Sequence, residues 1–416
     1  MKIVVYPHQL DIGGSQINAI DLGAAVRDLG HEVIIYGLPG ALESYIATKK
    51  LRYVPAHRFA YRCGVSHIAQ LTRLVRREKI DVVHAYEWPP SLDAFFGPGL
   101  LLRVPVVCTI LSMSVMDIVP RVLPLIMGTE ALAEEARLTQ RGAVSVMEPP
   151  IDTEGDTPAN DGREFRLIHG IAREELLVVT VSRLSIDLKL DALVDAIEAA
   201  GHLASSWPVR LVLVGDGEAA AQLRARAAAV NERCGREVVI FAGAMLDPRP
   251  AYAAADIVVG MGGSAIRAMA HGKPVVVQGE RGFNAPFDPD HEAFFFQNGF
   301  YGWGDGGPGG ARLAEYIAGL LAHPEERAFL GARGRETAVR RYSLQAAAAW
   351  LVCRYQEAID CRPRRRSMLR DAARSAALRF EAEVIRPGSA VTTRDRQMSR
   401  AQPAGAAPLC ELERHI

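Results

Sequence analysis

Val181-Ser-Arg-Leu-Ser-Ile-Asp-Leu-Lys189 is the stretch on which the reading of the second half of the chain turns. It leaves Leu176–Val181, an unbroken run of Leu, Val and Thr, the pattern of a strand covered on both faces within a parallel sheet. Arg183 and Lys189 therefore stand just past the carboxyl end of a buried strand. Open α/β sheets form their ligand crevice there, and two cations six residues apart would both reach one diphosphate. An Arg leaving a strand and a Lys opening a helix also describe ordinary surface cations, so their surroundings have to decide.

Those surroundings continue the alternation of strands and helices. Downstream, strands are expected at Arg210–Val214, Val238–Phe241, Asp256–Val259 and Pro274–Val277, with Ala-rich helices such as Gly217–Val230 between them. Upstream, the runs Ile3–Tyr6, Val33–Tyr36, Asp81–Ala85, Val104–Ile110, Leu123–Met127 and Val144–Met147 alternate with amphipathic stretches such as Ser15–Leu29. The fold class is α/β, with two doubly wound, Rossmann-like domains. Glu148–Asn160, rich in Pro, Asp and Thr, reads as a linker between them. Arg312–Ala322, Pro324–Arg340 and Ser343–Ala358 read as closing helices, the last crossing back to the first half. The expected domains are 1–150, 151–342, a crossover helix at 343–361 and a tail at 362–416.

At 416 residues and 49% hydrophobic content the chain can bury two cores, and its zero formal net charge gives no global attraction to nucleic acid. Six scattered cysteines (Cys63, Cys108, Cys234, Cys353, Cys361, Cys410) form no Cys-x-x-Cys pair, so neither a zinc site nor a disulfide framework is indicated and a cytoplasmic setting is expected. The N-terminal apolar run is too short for a signal-peptide core, and the region from Val104 to Met116 is too short to span a bilayer.

The tail carries twelve arginines against six acids, a surplus of six positive charges, and is expected to be mostly mobile. Within it Leu369, Ala373, Ala377, Phe380 and Val384 recur at helical spacing beside Arg366, Arg370, Arg374 and Arg379. Such a helix would touch an anionic membrane surface, weakly because its face is mostly Ala, or else stay solvated or dock onto the enzyme body.

Gly13-Gly14-Ser15 follows the first strand and opens a helix, where small residues admit a ligand and unpaired amides attract an anion. Gly260-Met-Gly-Gly-Ser264 repeats the arrangement, with Ser264 expected as the helix N-cap. Gly215-Asp-Gly217 marks a third strand end. Neither a Gly-x-Gly-x-x-Gly fingerprint nor a Gly-x-x-x-x-Gly-Lys-Ser/Thr loop is present, which argues against hydride transfer and triphosphate hydrolysis.

Taken in order, Gly13-Gly14, Val181-Ser-Arg-Leu…Lys189, Leu213-Val-Gly-Asp-Gly217, Phe241-Ala-Gly243, Ala255-Asp256 and Arg267-Ala-Met-Ala-His-Gly-Lys-Pro-Val-Val276 resemble the GT-B-fold glycosyltransferases of family 4, over about residues 1–360. The resemblance implies a retaining enzyme that takes a nucleotide-diphosphate sugar without metal or other cofactor. Its first domain would bind the acceptor and its second the donor, across a cleft. By position, Arg183 and Lys189 would be catalytic and grip the diphosphate; Gly262, Gly263 and Ser264 would hold the same phosphates; Gly243 and Ala244 would line the base pocket; and Gly215 would border the donor. Gly13 and Gly14 would approach the donor from the other lobe.

The chain departs from the family at three positions. Members usually have Glu where Arg267 stands, accepting hydrogen bonds from the donor ribose; Arg has no acceptor, so Arg267 would instead meet a phosphate or a carboxylate. The family's second Glu is Val259, and its His near the end of the fourth strand of the first lobe is Leu111. His84 and Glu87, past the strand Asp81–Ala85, would orient the acceptor hydroxyl or take its proton, although a structural role is open for His84. The expected function is transfer of a hexose-type sugar to a hydroxyl. A noncatalytic homologue that binds a nucleotide or a protein, and a sugar-nucleotide epimerase, are the alternatives.

Overall fold

Apolar runs without polar alternation become the central strands of two sheets, each covered by helices on both faces. The computed structural model describes residues 1–7, 9–57, 65–112 and 117–381. They form two units: residues 1–150 together with the helices from Leu344 onward, and Ile151–Ser343.

In the first unit β1 (Lys2–Tyr6), β2 (Glu32–Gly37), β3 (Arg52–Pro55), β4 (Val82–Tyr86), β5 (Val106–Ile110), β6 (Leu125–Met127) and β7 (Val144–Val146) make a parallel sheet in the order β3-β2-β1-β4-β5-β6-β7. Alternate residues feed opposite core layers: Val4, Ile34, Val83 and Cys108 on one face, Ile3, Val5, Ile35 and Val107 on the other. The helix Leu344–Asp360 closes the second layer, packing on Gly14–Asp28 and burying Leu344, Ala348, Leu351 and Tyr355.

In the second unit β8 (Leu176–Val181), β9 (Val209–Val214), β10 (Val239–Gly243), β11 (Ile257–Gly260), β12 (Val275–Gln278) and β13 (Asn284–Pro286) run in the order β10-β9-β8-β11-β12-β13. All are parallel except β13, which is antiparallel to β12.

Two strands escape the sequence pattern. The edge strand β3 has no fully buried residue, so it carries little apolar signal. β13 is Asn-Ala-Pro, which reads as a turn; it pairs because the buried Asn284 amide accepts from Gln278 and donates to the Gly309 carbonyl.

The stretch Glu148–Asn160 is not a free spacer. From Ile151 it packs into the second unit: Ile151 N donates to Tyr342 O at 2.9 Å, and Ile151, Thr153 and Asp156 are buried. Of the tail, Arg365–Phe380 is a helix docked on the first unit, one of the fates expected for it. Val384, the rest of the tail, Cys63 and Cys410 lie outside the described residues. Cys108, Cys234, Cys353 and Cys361 are free thiols. Among the described residues no helix is long and apolar enough to cross a membrane.

Candidate functional site

At the end of β8 the chain turns through Ser182 to Leu188, held from below by Leu184, which is fully buried. Ser182 N donates to Val214 O and Leu184 N to Asp216 O, both at 3.0 Å, so this loop is sewn to the turn after β9. Glycine is obligatory on the partner side: a Cβ at Gly215 would stand 1.9 Å from the Ser182 carbonyl, and one at Gly217 2.4 Å from that of Leu184. Leu188 then takes a left-handed backbone (φ 66°), which a non-glycine residue holds only under local constraint, and it sets Lys189 at the N-cap of the helix Leu190–Leu203.

Arg183 is exposed and Lys189 partly buried, and among the described residues neither side chain makes a hydrogen bond or ion pair. Burial, followed by the like charge of Arg183, lowers the Lys189 ammonium to about 8, against an opposing pull from the Glu280 carboxylate. Glu280, past the end of β12, accepts from Tyr301 Oη. It was not singled out from sequence, although a carboxylate just after the apolar run Pro274–Val277 is the same signal that marks Arg183.

Beside β8, β11 ends at Gly260. Gly262 takes φ 56°, donates its N–H to Phe300 O at 2.8 Å and caps the helix Gly263–Ala270. Ser264 is therefore not the N-cap. It lies in the first turn, and its hydroxyl donates to Val181 O at 2.7 Å and lies 3.0 Å from Tyr252 Oη, fastening the helix start to the end of β8. The first-turn amides of Gly263 and Ser264 have no intrahelical acceptor, which suits an anion. On the other side β10 slips register between Phe241 and Gly243; Gly243 has φ 77°, its carbonyl accepts from Gly215 N at 2.8 Å, and Ala244 is exposed beyond it.

Arg267 meets a carboxylate. Its Nη1 lies 3.4 Å from Oδ2 of Asp156, a buried side chain whose Oδ1 is 3.9 Å from Arg249 Nε and whose main-chain carbonyl accepts from Arg335 Nη1 at 2.7 Å. Asp156 was missed because its segment reads as a linker.

In the first unit Gly13 caps the helix Gly14–Asp28 in extended backbone. Ser15 Oγ contacts Glu87 Oε1 at 3.4 Å; the same oxygen accepts the amides of Leu111 (3.0 Å) and Ser112 (3.2 Å), and Oε2 accepts Ser112 Oγ (2.7 Å). Glu87 itself sits at φ 64°. Burial raises its pKa, and the Ser112, Leu111 and Ser15 donors oppose that. Glu87 thus binds the Gly13–Ser15 loop to Leu111, where the family has its His.

His84 has the setting of a structural histidine. It is fully buried, its Nδ1 lies 2.7 Å from Tyr355 Oη and its Nε2 2.7 Å from Thr109 Oγ1, and burial holds the ring neutral with a pKa of about 3. With both nitrogens engaged and no solvent access, it joins β4, β5 and the helix Leu344–Asp360 as a structural group. The aromatic run after Glu292 is likewise packed: Phe295 and Phe300 stack on each other inside the core.

The second unit thus collects Arg183, Lys189, Gly215, Gly243, Ala244, Gly262, Gly263 and Ser264 at the carboxyl ends of four adjacent parallel strands, β10, β9, β8 and β11. Gly13, Gly14 and Glu87 occupy the corresponding edge of the first unit's sheet, past β1 and β4.

Sequence comparison matches residues 12–117 to Glycosyltransferase Family 4, 175–299 to Glycosyl transferases group 1, and 264–352 to Glycosyl transferase-like. No curated protein sequence matches the chain. Among solved structures, a glycosyltransferase from Rickettsia africae superposes with TM-score 0.69 at 13% identity, covering 86% of this chain and 98% of that one. HepE from Anabaena, in complex with UDP and glucose, gives 0.68 at 18%, covering 86% and 99%. WaaG, a glycosyltransferase involved in lipopolysaccharide biosynthesis, gives 0.57 at 16%, covering 84% and 99%. The likeness to solved structures carries the fold and the matched domains carry the kinship: the chain is a GT-B glycosyltransferase of the family 4-like kind.

Proposed function

We propose that the chain transfers a hexose-type sugar from a nucleoside diphosphate donor to a hydroxyl acceptor, with retention and without a metal or other cofactor. The observation that carries this reading is the Arg183–Lys189 pair. Two like charges, one of them partly buried and neither in a hydrogen bond or ion pair among the described residues, are held at the carboxyl edge of a parallel sheet, with the Glu280 carboxylate only partly offsetting them at Lys189. Such a pair is relieved by an anion. As the glycosidic bond breaks, the sugar becomes oxocarbenium-like and negative charge collects on the departing diphosphate; cations fixed there beforehand stabilise that state more than the ground state. The amides of Gly263 and Ser264 would share the phosphates, and Gly243 and Ala244 would border the base. The first unit, with Gly13, Gly14 and Glu87, would serve the acceptor. Free, exposed Cys353 and Cys361 fit work in the cytoplasm.

Arg267 favours a second reading, a noncatalytic nucleotide binder, because the residue that would hold the donor ribose in the family is here turned to Asp156. One measurement bears on both: thermal stabilisation of the full chain by UDP, GDP, ADP and dTDP without metal, followed by nucleotide release from the matching sugar nucleotides. UDP comes first because the HepE neighbour is in complex with it. Ligand at ~100 times its dissociation constant adds about 2.7 kcal/mol. A shift abolished by Arg183→Ala, with turnover, supports transfer; a shift without turnover on any sugar or acceptor supports the binder; no shift with any nucleotide removes the donor site.

A further inference from the structure

The helix Arg365–Phe380 docks through a mixed face, with Met368, Ala372 and Leu378 packed beside Asp371 and Ser375. Its buried positions are Met368, Asp371 and Ser375. Asp371 accepts Val122 N at 2.7 Å and pairs with Arg141; Arg374 donates to the carbonyls of Asp117 and Val119, both at 2.6 Å; and Arg103 holds the other end through Met368 Sδ and Pro363 O. Left outside are Leu369, Ala373, Ala376, Ala377 and Phe380, with Leu369 57% and Phe380 58% exposed. An amphipathic helix of a soluble body ordinarily buries its apolar stripe. This one turns Met368, Ala372 and Leu378 in and leaves Leu369 and Phe380 outside.

The border of the stripe is cationic. At 100° per residue, Arg365 falls on one side of Leu369 and Phe380, and Arg366, between Ala373 and Ala377, and Arg370 fall on the other, all three exposed. Residues 362–380 hold seven arginines and one acid, Asp371, which is buried against Arg141; Arg374 and Arg379 turn toward the body, and Arg362, Arg364, Arg365, Arg366 and Arg370 are exposed. Leu101, 66% exposed, adds an apolar side chain on the Phe95–Leu102 segment against which the helix packs. The occupant of this face has to be anionic and also offer apolar depth for Leu369 and Phe380. A polyanion meets only the first condition.

We propose that the outer face of Arg365–Phe380 binds the surface of an anionic bilayer, Leu369 and Phe380 seating at the boundary of headgroups and acyl chains and Arg365, Arg366 and Arg370 meeting lipid phosphates. The stripe is short and Ala-rich, so electrostatic attraction dominates and the contact is reversible and salt-sensitive. The inference stands on this helix alone and does not depend on the donor chemistry.

The test is co-sedimentation of the full chain with vesicles of phosphatidylcholine alone and of phosphatidylcholine with a third of phosphatidylglycerol. Binding is expected only to the anionic vesicles, with partitioning falling roughly tenfold or more between about 50 and about 300 mM salt. Arg366→Glu/Arg370→Glu should weaken it by at least about tenfold and Leu369→Ser/Phe380→Ser by several-fold. All four side chains are exposed, so an unchanged thermal unfolding profile verifies the fold of each variant. Equal binding to neutral vesicles, or partitioning untouched by the charge reversal, overturns the proposal, as does retention on heparin without binding to anionic vesicles.

Discussion

The Lys189 ammonium lies close enough to the Arg183 guanidinium to feel its charge, and burial together with that repulsion holds it at about 8, against 10.5 for a free lysine. A bound diphosphate reverses the balance, because an anion favours the charged amine. Nucleoside diphosphate affinity is therefore level where Lys189 is already protonated. It falls as pH rises through about 8, approaching tenfold per unit until the higher pKa of the complex is reached. Calorimetric titration from about pH 6.5 to about pH 9.5 reads this directly. Lys189→Met should flatten the profile, and Arg183→Ala should shift the fall to higher pH. The ligand-free protein should show the opposite trend: native Lys189 binds fewer protons than unfolded Lys189 between about 8 and 10.5, so stability is expected to rise with pH across that window.

The same pair sets the expected loss of transfer. Arg183→Ala and Lys189→Ala should each lower kcat/KM by about 10²-fold or more, the usual effect of deleting a preorganised charge aimed at a leaving group. Rates within a few-fold of the parent in both variants would withdraw the diphosphate assignment.

How far the residues announced this site depends on what kind of contact defines it. Arg183, Lys189 and the glycine turns were legible because they follow unbroken apolar strands, and a parallel sheet sends every strand's carboxyl end to one edge. Asp156 was hidden, since its burial comes from long-range pairing with Arg267 and Arg249 and its neighbours are turn formers. The tail helix was legible as a helix, with docking among its expected fates, but not the residues that dock: periodicity locates the apolar stripe, while Asp371 and Met368 found partners on the first unit. β3 and β13 lack buried alternation and exist only through their neighbours.

Glu87 gathers four donors from two loops on a left-handed backbone, so its substitutions should separate backbone strain from hydrogen bonding. Glu87→Ala leaves the Leu111 and Ser112 amides without their carboxylate and should cost about 2–3 kcal/mol in urea unfolding. Glu87→Gly loses the same bonds but releases the φ strain, and should be the milder change by about 1 kcal/mol. Equal values for Ala and Gly would show that residue 87 stores no strain.

Asp93 is buried, with Tyr6 Oη donating to Oδ2 at 3.1 Å and no partner for Oδ1 among the described residues. Burial raises its carboxyl to about 7 from 3.8, with the Tyr6 hydroxyl and the charge of Arg379 opposing. A raised acid pKa means that the native state favours the neutral form. Its stabilising contribution is complete below 3.8 and is lost as pH rises to about 7. Asp93→Asn keeps an acceptor for Tyr6 and removes the titration, so it should be the more stable protein above pH 7, by on the order of a few kcal/mol, and should lack this slope. Parallel pH dependences for parent and variant would show that Asp93 is solvated.

Arg267 stands where the family places a ribose-binding Glu, and the buried Asp156 makes restoring that Glu costly. Arg267→Glu sets two carboxylates side by side, with Arg249 Nε 3.9 Å from Asp156. Breaking a buried pair in this way should lower the stability of the second unit by roughly 3–5 kcal/mol, and Asp156→Asn in the same chain should recover most of it. Arg267→Gln removes the charge without adding a second one. If Arg267 serves Asp156, this variant loses stability while its nucleotide affinity, measured well below its unfolding temperature, stays near the parent's. A loss of affinity beyond about tenfold with no change in unfolding would instead make Arg267 a donor contact, because a group that binds ligand alone changes binding without changing the ligand-free fold.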